Sequence, residues 1–244
     1  MRKSVPLLLL LLPVCVLAQK NAVKVNLSSL AVKNYHIQYE RKLISKLTLN
    51  IGFRYMPKSS LPFQSTFESL GGGLDDEDFR ISDFRMGNTA LTIEPRIYLS
   101  KKAMKGFYIA PYARYASFDL SLPFTYDEPT GPSTSVKRPA DFTGKITSFS
   151  GGLMFGTQFN IAKRLVLDIW WIGGHYGSSK GDLNFVPQTP LTPTQQQGLQ
   201  NTLNDFDPSP FKFKSTVNAA GARIESDGPW AGVRALGINL GLKF

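Results

Sequence analysis

A chain of 244 residues, 42% hydrophobic and 19% charged, is the size of one domain. No run of about 20 apolar residues follows the N-terminal stretch, which excludes a helical membrane protein, while a mean hydropathy of −0.12 leaves a β-barrel open, because its apolar and polar residues alternate. The formal charge of +10 is dispersed rather than clustered, which argues against a nucleic-acid surface and suits contact with anionic lipid head groups.

The N-terminus reads as a cleaved signal peptide over residues 1–18. Arg2 and Lys3 form a positive start, Leu7 to Leu12 an apolar core, and Val16-Leu17-Ala18 a cleavage site after Ala18. A lipoprotein would be cut before Cys15, but Leu12-Pro13-Val14 offers no small residue beside the cysteine. Subtracting Arg2 and Lys3 from +10 leaves +8. Cys15 is the single cysteine, so residues 19–244 carry no disulfide, thiol nucleophile or thiolate metal ligand.

Residues 19–244 then show segments in which apolar and polar side chains alternate with period two, the signature of a strand with one face of each kind. In chain order these are Val23 to Ser28, Tyr35 to Glu40, Leu47 to Tyr55, Leu91 to Leu99, Phe107 to Tyr115, Phe149 to Phe159, Leu165 to Trp171 and Leu236 to Phe244. In the fifth, the apolar phase flips near Ala116, so that Phe118, Leu120 and Leu122 fall in step, predicting a bulge or the end of a membrane-spanning part. Pro95 and Pro111 interrupt adjacent strands at matched places and predict a local distortion, since proline cannot donate to the ladder.

Connections alternate in length. Arg41 to Lys46, Ser100 to Lys105 and Asn160 to Arg164 are short and basic, whereas Met56 to Asn88, Asp119 to Lys145 and Ser178 to Pro229 are long; the link between the first two strands is short and breaks the alternation. Short periplasmic turns and long outer loops are the habit of transmembrane barrels. Tyr35, Tyr39, Phe53, Tyr55, Tyr115, Phe155, Trp171 and Phe244 lie on the apolar faces, as in an interfacial aromatic girdle. The longest loop holds a helix signal: Thr192 as cap, Pro193 in the first turn, and Leu199, Leu203 and Phe206 at helical spacing. The expected fold is all-β, an eight-stranded antiparallel up-and-down transmembrane β-barrel with long extracellular loops.

The opening strand Asn21-Ala22-Val23-Lys24-Val25-Asn26, the second strand ending Tyr39-Glu40-Arg41, and the segments Glu94-Pro95-Arg96 and Gly106 to Tyr112 resemble a family of uncharacterised Bacteroidetes-type outer-membrane barrels, OmpA/OmpX-like in architecture. The resemblance covers the strands and not the loops. It implies a location in the outer membrane of a Gram-negative cell and no established activity. Leu240, Leu242 and Phe244 resemble the C-terminal signal read by the barrel-assembly machinery, although Asn239 stands where a glycine is usual.

Chemistry is expected inside the barrel. Lys24, Glu40, Arg54, Glu94, Arg96, Arg114 and Asp168 all take the polar face. Lys24 and Glu40 fall low on neighbouring strands and Arg54, Glu94 and Arg114 higher on three consecutive ones, predicting two paired clusters, because isolated buried charge is very costly. An eight-stranded barrel is about filled by its side chains, so a plugged lumen is expected rather than a pore. An ion path along the charges is the alternative.

His36 and His175 are predicted near the outer rim, where His175 with Ser178 or Ser179 is the one candidate for lipid-modifying catalysis. No metal-ligand spacing occurs: the run Asp75-Asp76-Glu77-Asp78 lacks the calcium-loop pattern, and Gly71-Gly72-Gly73 lacks the lysine of a phosphate loop. No cofactor is implied. The expected role is a scaffold that holds outer loops for an extracellular ligand or an outer-membrane complex partner. A lipid-modifying enzyme, a narrow-channel transporter and a soluble lipocalin-like binder are the alternatives.

Overall fold

The computed structural model describes residues 20–60, 83–131, 133–205 and 209–244. The signal peptide expected over 1–18, the acidic run Asp75 to Asp78, Gly71 to Gly73 and Phe206 lie outside the described residues. The chain order is β1 (Asn21–Asn26), α1 (Leu27–Leu30), β2 (Tyr35–Lys42), β3 (Leu47–Ser60), β4 (Arg85–Tyr98), β5 (Gly106–Leu122), β6 (Thr125–Gly131), β7 (Thr134–Pro139), β8 (Phe142–Asn160), β9 (Leu165–Phe185), α2 (Pro193–Asp205), β10 (Lys212–Asn218) and β11 (Gly221–Lys243).

Eight of these strands hydrogen-bond in the order β1-β2-β3-β4-β5-β8-β9-β11, and β11 returns to β1 to close a ring. Every ring pairing is antiparallel and joins strands that neighbour one another in the up-and-down order. The β6–β7 hairpin stands apart as its own two-stranded sheet, and β10 adds to the far part of β11. The short connections after β2, β4 and β8 gather at one end, called lower here. Two of them are closed by backbone bonds of 3.0 Å, from Leu43 N to Leu47 O and from Ile161 N to Leu165 O.

In the lower ring the apolar faces point outward and stay uncovered. Ile37, Phe53, Leu91, Phe107, Phe149 and Leu242 are 46–62% exposed, whereas Lys24, Gln38, Glu40, Arg96 and Asp168 inside are 0% exposed. The upper part is the reverse. Leu120, Phe142, Leu183 and Ile224 turn inward and pack with Tyr126 of β6 and with Leu199 and Leu203 of α2.

No bulge accompanies the phase flip near Ala116. β5 pairs with β8 in unbroken register from Gly106 to Leu122. The residues change and the backbone does not: Phe118 and Leu120 occupy the inward positions that Tyr112 and Arg114 occupy below them. Pro95 falls opposite Pro111, within the stretch between Ile93↔Ala113 and Ile97↔Ile109 where β4 and β5 make no ladder pairs.

The long connections are shorter than the sequence suggested. β5 continues to Leu122, β8 begins at Phe142, β9 runs to Phe185 and β11 begins at Gly221, while β6–β7 and β10 form inside the expected loops. Runs such as Gly173-Gly174-His175-Tyr176-Gly177-Ser178-Ser179 lack clean alternation, yet they complete their ladders on both sides, to β8 and to β11.

Helix α2 begins at its expected cap. Gln195 N donates to Thr192 Oγ1 at 3.3 Å, and Thr192 N donates back to Gln195 Oε1 at 3.0 Å, a reciprocal cap. Gly198 has a packing reason: a Cβ there would stand 2.2 Å from the backbone oxygen of Asp127 in β6.

Candidate functional site

Two single-residue bulges decide what faces the interior. Between β8 and β9, Phe155 pairs with Ile172 and Gly156 with Trp170, which leaves Trp171 as an extra residue. On the other side of β9, Ile172 pairs with Ala235 and Trp170 with Gly237, so Leu236, at a left-handed φ of 49°, is the matching extra residue of β11. A one-residue slip swaps the faces of a strand. Below the bulges Asp168, Trp170, Gly237 and Asn239 point inward; above them His175, Ser179 and Arg234 do. His175 is thus on the inward face at this level. Its ring turns to the interior, with Nδ1 3.2 Å from the Tyr112 hydroxyl, and a Cβ on Gly232 would stand 2.7 Å from its Nε2.

The lower interior is a closed network of charges. Lys24 Nζ donates to Glu40 Oε2 at 2.7 Å and to Asp168 Oδ2 at 2.6 Å. Arg96 reaches Asp168 Oδ2 through Nη1 at 2.6 Å and Glu94 Oε1 through Nη2 at 2.6 Å. The remaining oxygens of Asp168 and Glu40 are met by hydroxyls: Tyr108 donates to Asp168 Oδ1 at 2.7 Å, and Glu40 Oε1 accepts from Tyr98 at 2.7 Å and Thr48 at 2.6 Å. Arg96 also lies over the Tyr108 ring, 4.5 Å from its centroid. One step above Glu40 on β2, Gln38 Nε2 donates to Asn239 Oδ1 at 2.6 Å. A buried ion pair offsets its desolvation only when its other lone pairs and protons are satisfied, and here hydroxyls and amides from six strands satisfy them.

The upper interior is different. Arg54, Arg114 and Arg234 come close enough to act on one another and on His36 and His175. Arg234 spans both levels: Nη1 lies 3.5 Å from Glu94 Oε2, and the guanidinium covers the rings of Trp170 and Tyr112 at 4.4 and 4.8 Å. Arg54 and Arg114 form no ion pair or hydrogen bond with any described residue, and Arg54 Nε, Arg234 Nε and Nη2, His36 Nδ1 and Trp170 Nε1 are buried with no hydrogen-bond partner among the described residues.

The expected residues thus divide. Lys24, Glu40, Glu94, Arg96 and Asp168 meet in one network, and Glu94 belongs to it rather than with Arg54 and Arg114 as expected. The i, i+2 spacing of Glu94 and Arg96 puts both on one face of β4, so Glu94 bonds down to Arg96. Arg234 was hidden from the sequence by the Leu236 bulge, and Tyr98, Tyr108, Thr48 and Gln158 by being neutral. No serine hydrogen-bonds to His175 among the described residues; the inward Ser179 Oγ instead donates to Gly228 O at 3.4 Å. Leu240 and Leu242 lie on the outer face of β11 at 36% and 60% exposure, and Phe244, just past its end, is 43% exposed. Among the described residues no group of His, Cys, Asp or Glu is arranged to hold a metal, and no helix is long and apolar enough to cross a membrane.

A family model described as a protein of unknown function (DUF3575) matches residues 5–182, a range that begins ahead of β1 and ends in the upper part of β9. Neither a curated protein nor a solved structure matched.

Proposed function

The chain belongs to the DUF3575 family, a family of unknown function, and from that premise we propose that it is an outer-membrane β-barrel of a Gram-negative cell, akin to the Bacteroidetes-type barrels it resembles. In this reading it is exported by its leader, inserted by the barrel-assembly machinery, and serves as a scaffold rather than an enzyme or a pore. The supporting observation is the uncovered belt of Ile, Leu and Phe around a charged interior. In water such side chains would forfeit about 1.5–3 kcal/mol each by staying exposed, so the belt calls for an apolar solvent.

The packed network of Lys24, Glu40, Arg96 and Asp168 plugs the lower half, which argues against conduction. Above it, β8, β9 and β11 carry α2, the β6–β7 hairpin and β10 away from the bilayer, as a rigid platform for an extracellular ligand or partner. An open groove of about 550 Å³ on this platform, lined by Lys145, Lys180, Asp182, Lys212, Phe213 and Asp227, offers one surface for such contact.

Carbonate washing of envelopes tests the placement: the protein is expected to stay in the membrane pellet and to migrate differently on gels before and after boiling. Release into the wash would overturn the barrel reading. The plug predicts no large single-channel conductance in planar bilayers, and the scaffold role predicts an unchanged lipid A profile in His175→Ala.

A further inference from the structure

We propose that the upper interior of the ring binds a phosphate group, held by Arg54, Arg114 and Arg234 with His36 and His175 beside them. The charges do not balance without it. Glu40, Glu94 and Asp168 neutralise Lys24, Arg96 and Arg234, which are joined to them by contacts of 2.6–3.6 Å. Lys243, at the bottom, donates to Asn160 Oδ1 and Met104 O, which leaves Arg54 and Arg114 in the upper interior with no anionic partner among the described residues. Arg114 and Arg234 are each 7% exposed and His36 2%, so water does not solvate them freely. Arg114 is buried and Arg54 half-buried, two guanidinium charges of one sign turned into the same interior are costly, and an anion of two charges is the complement. The unpartnered Arg54 Nε, Arg234 Nε and Nη2, His36 Nδ1 and Trp170 Nε1 supply nitrogen atoms for its oxygens.

The ring has an entrance at this level. β1 ends at Asn26 and β2 begins at Tyr35, while β3 and β11 on either side continue upward. β11 pairs with β1 only from Asn239 to Lys243 and with β10 only from Gly221 to Asp227. Between those stretches its edge on that side has no strand partner among the described residues, and α1 covers only the bottom, where Ile238 N donates to Ser28 Oγ at 3.2 Å. Arg234 sits on this free stretch, and Arg54 pairs with His36 at the top of β2. Val233 and Leu236, 73% and 69% exposed, flank the gap outside and suit an acyl chain. The phosphate is either free or the headgroup of a lipid entering sideways; only the lipid source rests on the membrane reading above.

Calorimetry on the full chain in neutral detergent, first scored as folded by its gel mobility, tests this with three probes: inorganic phosphate, short-chain phosphatidic acid and short-chain phosphatidylcholine. Phosphate or phosphatidic acid is expected to bind at a single site, weakened about tenfold or more in Arg54→Gln and Arg114→Gln and unchanged in Lys180→Gln. Tighter phosphatidic acid identifies the lipid source, and equal binding of phosphate identifies the free anion. Arg114→Gln removes a repulsion, so it is expected to fold and to melt no lower than the parent when phosphate is absent. No binding of either phosphate probe by folded protein, binding undiminished in Arg114→Gln, or equal binding of phosphatidylcholine overturns the site. So does phosphate binding that appears only once Asp75, Asp76, Glu77 and Asp78 are replaced by Asn, which would assign the arginines to the chain's own acidic run.

Discussion

The lower ring and the upper platform share β5, β8, β9 and β11, yet they bury opposite kinds of side chain. Below, Lys24, Glu40, Arg96 and Asp168 are inside while Ile37, Phe53 and Phe149 are out; above, Phe142, Leu183 and Ile224 are inside while Lys180 and Arg223 are out. Strand geometry is the same in both, with a continuous ladder from Gly106↔Gln158 to Leu122↔Phe142. What changes is the phase of the apolar residues. A strand has no preferred wet side, so the phase reports the solvent outside it. On the membrane reading proposed above, the lower half suits an apolar surround and the upper half water.

The sharpest way to break this contrast is to remove a charge from inside the lower half. Asp168→Ala strands Lys24 and Arg96, both 0% exposed, and is expected to cost about 3–5 kcal/mol, read as a lower temperature for loss of the folded gel band. Little change would mean that water fills the interior. In the upper half the matching deletion is apolar. Leu199→Ala, at a site 0% exposed, is expected to cost about 2–5 kcal/mol, with early protease cleavage around α2 while the ring keeps its folded mobility. Joint melting would show that the two halves form one cooperative unit.

Adding a charge outside separates the halves by their surroundings. Ile93→Arg, on the lower outer face, is expected to cost about 2–4 kcal/mol in a bilayer. Thr143→Arg, on the upper outer face, should stay within about 0.5 kcal/mol. Equal effects would remove the distinction in solvent.

The smallest effect belongs to the Arg223–Asp182 pair on the platform, where N···O is 2.7 Å. The hydrogen bond from Arg223 holds the Asp182 carboxyl below the usual carboxylate range. A lowered folded value means that the stabilisation is complete above the unfolded carboxylate value and fades as pH falls through the folded one. Protease resistance of the platform should therefore drop slightly on acidification below about pH 4 in the parent and not in Asp182→Asn.

The all-β class, the eight ring strands and helix α2 were legible because period two and period 3.6 are carried by single side chains in series, as in Leu47, Leu49, Ile51, Phe53 and Tyr55. The inward position of Lys24, Glu40, Arg96 and Asp168 was legible for the same reason. Three things were not. The bulges at Trp171 and Leu236 are backbone events with no composition of their own, so the inward turn of His175 was not foreseen and Arg234 was missed. The upper halves of β8 and β9 are rich in glycine and serine and resemble loop. The shift of Phe118 and Leu120 to the inside looks like a bulge until the unbroken ladder shows that the residues change and the backbone does not.

The first and last strands of the ring are partners: Asn21 and Phe244 exchange two backbone hydrogen bonds of 3.0 Å, and β1 meets β11 through the pairs from Ala22↔Lys243 to Asn26↔Asn239. During synthesis this seam is unavailable until β11 has emerged, and closing it draws together positions some 220 residues apart, an entropic toll on the order of 5 kcal/mol. Few backbone bonds face that toll. Zipping β1 to β11 is thus the final step of assembly, and the same short junction is where the finished cylinder would first come undone.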